Sequence, residues 1–270
     1  MKRIILILSA AAMTLNASAA MIKGSVKDTE GRPVAGVVVT DGLNTVKTDA
    51  KGRFRMDADD DSRFVYISTP SGYVSATLEG KTLFYKEISE DIRKYDFIVR
   101  KNEKDDISHN LIVIADPQIS ERSELPELQK HADDITAFVG QYDQDYTFGL
   151  CLGDIVGWDH SIYPEYNRIM NGSGFEYRYV IGNHDMTNYG RSFETSMKNY
   201  EDMYGPCWYS FNVGNVHYIV LNNNFYVGRD YFYIGYIDER QLRWLENDLS
   251  YVPEGSRVIV SMHIPTTMDK

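Results

Sequence analysis

The chain is poor in cysteine, in basic charge and in long apolar runs, and each shortage narrows what it can be. Cys151 and Cys207 are its two cysteines, so a disulfide-stapled framework is excluded. Cys151 lies inside an apolar run and reads as a small buried residue. Cys207 lies in a Tyr204-Gly205-Pro206-Cys207 turn. Two free thiols are expected, because sequence alone does not bring their Cα atoms into bridging range. Lysine and arginine total 28 against 39 acids, a formal charge of −11. Such a surface opposes binding to nucleic acid or anionic membrane. Past the N-terminus no stretch is long enough to be a transmembrane helix. Repeats and low-complexity segments are missing, as are a P-loop, a dinucleotide fingerprint and any arrangement of a nucleophilic Ser or Cys.

Residues 1–20 read as a secretory leader. Lys2 and Arg3 form its basic end, Ile4–Leu8 opens its apolar stretch, and Ala17-Ser18-Ala19 offers a cleavage site. Its removal takes the charge from −11 to about −13, since Lys2 and Arg3 leave and no acid does. The mature chain is therefore expected to be exported, periplasmic or extracellular, without a membrane anchor.

Residues 21–100 read as a separate all-β unit. MIKGSVKD, VAGVVVTDG, NTVKTD, GRFRMD, RFVYIS and DFIVR are short β-rich runs, broken by turns such as EGRP and DAKG. A small sandwich follows. Residues 101–110 (KNEKDDISHN) are polar and read as a linker. From 111 to 270 strand and helix signals alternate. Strands are expected at LIVIAD, 146–152, 177–181, 208–213, 216–222 and 257–262. Helices are expected over 126–139, 163–170, 193–204 and 238–249, the last capped by Asp238.

Four of these apolar runs end in polar motifs: Ala115-Asp116-Pro117-Gln118, Gly153-Asp154, Gly182-Asn183-His184-Asp185 and Met262-His263-Ile264-Pro265. Open α/β sheets bind ligands at the carboxyl ends of their strands. Carboxylate, carboxamide and imidazole are donors that a borderline divalent metal accepts. The simplest reading is a two-metal hydrolytic site. Taken one at a time the motifs also read as polar turns, and a lone His263 as a core histidine.

Together the motifs resemble the calcineurin-like metallophosphoesterase family, over about residues 111–270. The resemblance implies two mixed sheets packed face to face with helices outside. It implies two divalent ions (Mn, Fe, Zn or Mg) held by Asp116, Gln118, Asp154, Asn183 and His263, with Asp154 bridging. His184 would act as general acid, with Asp185 orienting its imidazole. The substrate would be a phosphomonoester or phosphodiester: a small phosphorylated compound, a sugar phosphate or a phospholipid. Position 118 is Gln where the common pattern has His. If it binds, preference shifts toward Mn²⁺ or Mg²⁺; if not, the first metal rests on Asp116 and Asp154. The sequence ends at Lys270 before the family's G-H-x-H, so a longer protein is expected. A binding or scaffold protein that keeps the fold without hydrolysis is the alternative. Likewise, GSVKDTEGRPVAGVVVTDG and TVKTDAKGRFRM resemble the carboxypeptidase regulatory-like, transthyretin-like sandwich.

The remaining polar residues read more plainly. His131 is solvated, His217 bonds locally, and His109 lies in the linker. Asp159 and His160 can line the cleft, and one of Asn222, Asn223 and Asn224 can touch substrate. Tyr226, Tyr231, Phe232, Tyr233 and Tyr236 form an aromatic loop. It is a stacking surface, a lid on the core, or a face for another domain.

Overall fold

The computed structural model describes residues 21–78, 81–142, 145–229 and 232–266. The expected leader and Tyr231 lie outside them. None of the described helices is long and apolar enough to cross a membrane.

Residues 21–101 form two four-stranded sheets. One runs Arg53–Asp57, Met21–Asp28, Phe97–Lys101, Tyr73–Ser75; the other runs Thr45–Lys47, Val38–Thr40, Phe64–Ile67, Tyr85–Glu87. Alternating residues turn inward, among them Ile22, Val26, Phe54, Met56, Phe97 and Val99. Two turns share a D-x-x-G-R pattern and one solution. Asp28 accepts from the backbone N–H groups of Glu30 and Arg32 and from the Arg32 guanidinium. Asp49 does the same with Lys51 and Arg53. The carboxylate thereby satisfies amides that a turn leaves unpaired.

Beyond residue 108 the layers are helix, sheet, sheet, helix. The first sheet is parallel, ordered His109–Ile114, Tyr146–Cys151, Tyr177–Tyr179. The second pairs Tyr209–Val213 antiparallel to Val216–Val220, which is parallel to Arg257–Ser261. Period-2 alternation divides the central strand. Phe148 and Leu150 face the second sheet, where Phe148 lies 5.6 Å from Phe211 and 5.2 Å from Tyr218. Cys151 faces Tyr163, Tyr166, Ile169 and Met170 of and beside the helix Tyr163–Asn171. On the far side Trp244, from the helix Glu239–Leu249, is wholly buried against Ile219 and Leu221. Both cysteines are buried free thiols.

Several boundaries differ from the sequence reading. His109 and Asn110 are not linker: they already pair with Tyr146 and Thr147. The 193–204 helix is two, Phe193–Ser196 and Lys198–Tyr204. The aromatic segment is a hairpin, Asn224–Gly228 with Phe232–Gly235. The β unit also shares one apolar cluster with the second sheet, in which Tyr66 and Phe84 join Tyr209 and Phe211. Thr69 bridges Phe211 in parallel register, so the 68–70 segment covers the outer edge of Tyr209–Val213. Arg178, 2% exposed, reaches Thr69 Oγ1 at 3.2 Å with its guanidinium over the rings of Phe84 and Phe211.

Candidate metal centre

The four motifs meet at the carboxyl ends of the strands. Loops 116–120 and 154–158 run side by side: Gln118 N donates to Asp154 O at 2.7 Å, and Gly157 N to Ile119 O at 2.9 Å. Glycine is required where the next loops cross. A Cβ on Gly153 (φ +96°) would lie 2.7 Å from Gly182 N, and one on Gly182 would lie 2.1 Å from Asp154 N. Only a bare backbone permits that approach.

Asp154 is 4% exposed and sits at the centre. Its Oδ1 accepts the His184 backbone N–H at 2.8 Å and lies 3.5 Å from His263 Nε2. Its Oδ2 lies 3.5 Å from Gln118 Nε2 and 3.9 Å from His184 Nε2. His263 Nδ1 donates to the Leu152 carbonyl at 2.8 Å, which leaves the Nε2 lone pair facing the site. That lone pair meets Asn183 Oδ1 at 3.1 Å as well as Asp154 Oδ1. An imidazole nitrogen, a carboxamide oxygen and a carboxylate oxygen thus converge, donors that a divalent metal ion accepts. Asp116, Asp154 and His263 each offer a ligand atom within 4.8 Å of the others, so the residues present fit a metal ion. Asp116 and Gln118 approach from an exposed loop.

Asp185 does not orient the His184 imidazole. Its carboxylate, wholly buried, accepts from Ile155 N at 3.1 Å, Gly182 N at 2.9 Å and the Tyr163 hydroxyl at 2.9 Å. Three fixed donors turn it inward, so it ties the second and third motif loops together. Burial pushes its carboxyl up to about 7. His184 is held instead through its backbone: N–H on Asp154, C=O on His160 Nε2 at 3.0 Å. His160 Nδ1 meets Asn199 Nδ2 at 2.7 Å. It is therefore a brace and not a cleft wall, while Asp159 is exposed and caps the turn at Ser161.

The three asparagines are buried stitching. Asn223 exchanges two hydrogen bonds with Ile264, and Asn224 donates to the Ile181 carbonyl. They fix the loops carrying His263 and Asn183. His217 is buried between Asn212 Oδ1 (2.8 Å) and Asp248 Oδ2 (2.7 Å), the latter from a helix 31 residues on. The expected local bond is there, to Asn212, and a long-range one to Asp248 is added.

Sequence reading gave Trp158 no role. Its indole centroid lies 4.4 Å from that of His184 and 5.6 Å from Phe232. The Gly-Trp step just past Gly153-Asp154 was the available signal. Burial and then the Asp154 charge raise the Tyr233 phenol above its usual range.

Residues 20–102 match a family model described as the N terminal of calcineurin-like phosphoesterase. No curated protein matches the chain. The matched stretch is the β unit and leaves the metal centre outside it; with the convergent donors above, it supports the calcineurin-like phosphoesterase family.

Proposed function

We propose that the chain is a metal-dependent phosphoesterase, hydrolysing a phosphomonoester or phosphodiester. The convergence of His263 Nε2, Asn183 Oδ1 and Asp154 Oδ1 within 3.1–3.5 Å carries this reading. Asn183 and His263 would hold one ion and Asp116 and Gln118 a second, with Asp154 serving both. The donors suit Mn, Fe, Zn or Mg. When bound, two divalent ions would supply Lewis-acid polarisation and a water of lowered pKa. His184 gives its proton to the departing alkoxide. Asp154 and His160 fix the peptide on either side of it, and Asp185 holds the loops in register.

The resemblance to a metallophosphoesterase sandwich over 111–270, behind a regulatory-like β unit at 21–100 and a join at 101–110, belongs to the same proposal. So does export to the periplasm or beyond, on the leader at 1–20. Substrates in this reading are small phosphorylated compounds, sugar phosphates or phospholipids. One observation favours a second reading, a binding protein without turnover. Asp116 and Gln118 are both exposed, so the first position is the weaker one.

The experiment is Mn²⁺ uptake with hydrolysis of an aryl phosphate and a bis-aryl phosphodiester, by wild type and Asp154→Asn. Metal-dependent turnover that the substitution abolishes, with the melting temperature within a few degrees, supports the enzyme. Turnover surviving in Asp154→Asn refutes the site. Metal uptake without turnover favours the binding protein.

A further inference from the structure

Five described residues other than glycine have left-handed backbones: Asp116 (φ 51°), Gln118 (46°), Asp154 (50°), Trp158 (84°) and Phe232 (63°). An L side chain disfavours this region because its Cβ crowds the following carbonyl. Ordinary turns in the chain give such positions to glycine, as at Gly31, Gly36, Gly72 and Gly174. Strain of this kind persists only where the surroundings impose it, and it concentrates at functional sites. Three of the five are metal-centre residues. The other two are aromatic, come from loops far apart in sequence, and meet at 5.6 Å with their planes 55° apart.

Both backbones are clamped. Gly157, just before Trp158, is hydrogen-bonded to Ile119, and a Cβ on it would come within 2.2 Å of Ser120 Oγ. Phe232 follows an irregular register in its hairpin, where Gly228 pairs with it past a shift at Tyr226. Tyr226 and Tyr233 stand edge-on to Phe232 at 6.0 and 5.7 Å. Trp158 and Phe232 are each only partly buried, so they keep surface open to a ligand.

The position of this pair relative to His184 says which part of a ligand it meets. In the phosphoesterase reading, on which this inference rests, His184 faces the leaving oxygen. The indole lies against the imidazole at 4.4 Å. In that reading a group carried by the leaving oxygen comes beside Trp158, with Phe232 the next ring along. We infer that Trp158 and Phe232 form a stacking wall that selects phosphate esters whose leaving group bears a planar aromatic ring, an aryl group or a nucleobase. Flat π-faces stack on such side chains with little demand on hydrogen-bonding pattern.

The test is equilibrium binding by calorimetry to the Mn²⁺-loaded protein. Phenylphosphonate is compared with methylphosphonate, and adenosine 5′-monophosphate with ribose 5-phosphate. Each ring-bearing ligand of a selected class should bind about tenfold or more tighter than its partner. The first pair reads aryl groups and the second nucleobases. That ratio should collapse toward one in Trp158→Gly and Phe232→Leu. Because glycine tolerates φ 84°, Trp158→Gly should unfold no earlier than wild type. A wild-type ratio near one in both pairs overturns the wall. So does a ratio that survives both substitutions, or a Trp158→Gly protein that melts early and keeps its ratio, since the indole would then be core packing. Turnover of phenyl phosphate is read separately. Ring-selective binding without turnover overturns the phosphoesterase reading alone, and turnover without ring selectivity overturns the wall alone.

Discussion

Gly153 offers the sharpest perturbation of the centre. It has φ +96°, and a Cβ placed there would lie 2.7 Å from Gly182 N and 2.8 Å from His263 Nδ1. Gly153→Ala therefore carries two costs. The left-handed backbone costs about 1–2 kcal/mol for a residue with a side chain. Forcing a methyl group into occupied space costs about 1–3 kcal/mol more. Gly174 separates the two, since its φ is +85° and a Cβ there meets nothing within 4 Å. Gly174→Ala should thus show the backbone cost alone. At about 2–4 °C per kcal/mol for a chain of this size, it should melt a few degrees early and Gly153→Ala roughly 10 °C early. The clash also falls on the nitrogen whose bond to Leu152 orients His263. Mn²⁺ affinity measured by calorimetry should drop about tenfold or more, the outcome of a misdirected ligand, in Gly153→Ala and hold in Gly174→Ala. Equal melting shifts, with wild-type metal affinity in both, would refute the packing of these three loops.

Three further outcomes are expected. His184→Ala should slow hydrolysis by about 10²–10⁴-fold, the range for a lost general acid, and should slow an alkyl ester more than a nitrophenyl ester; equal slowing in steady-state assays contradicts the role. Burial holds the His160 imidazole below its usual 6.5, and its bonds to His184 O and Asn199 suit the neutral ring. As pH falls below about 6.5 the unfolded chain takes up the proton first, so stability is full above that pH and declines below it. Melting curves should show a flatter decline between pH 7 and 5 in His160→Gln. His217→Ala removes one partner of the Asp248 carboxylate, 1% exposed, and should cost about 3–5 kcal/mol in urea unfolding; a loss below about 1 kcal/mol would mean that Ser210, whose hydroxyl donates to Asp248 Oδ1 at 2.8 Å, alone satisfies Asp248.

Where residues lie along a strand was legible in the sequence, since apolar runs ending in Gly, Asp, Asn or His announce strand ends. The structure groups Asp116 with Asp154 and His263, and sets Gln118 beside Asp154 and Asn183 beside His263. What side chains do after a turn was not legible. Asp185 follows His184 directly, yet Gly182, Ile155 and Tyr163 take its oxygens. The Trp158 contact depends on a left-handed backbone, of which the Gly157-Trp158 step was the one hint in the sequence. The hairpin at 224–235 was hidden because its aromatics do not alternate with polar residues. The docking of the β unit was hidden for another reason: it is made by single residues such as Thr69 and Arg178, far from their partners in sequence.

That docking has a consequence for the order of folding. The Tyr66 hydroxyl bonds the Trp208 carbonyl across 142 residues. At a synthesis rate of about 5–20 residues per second, Tyr66 waits roughly 7–30 s for that partner. The Thr69 bridge to Phe211 is equally distant. During that interval Tyr66 and Phe84 lack the strand that covers them, and the exposed face favours association with other chains. Loop closure of this length is slow. The β unit thus reaches its final packing only after the second sheet arrives, and a chaperone that shields residues 64–84 would raise the yield of folded protein more than one acting on the C-terminal helices.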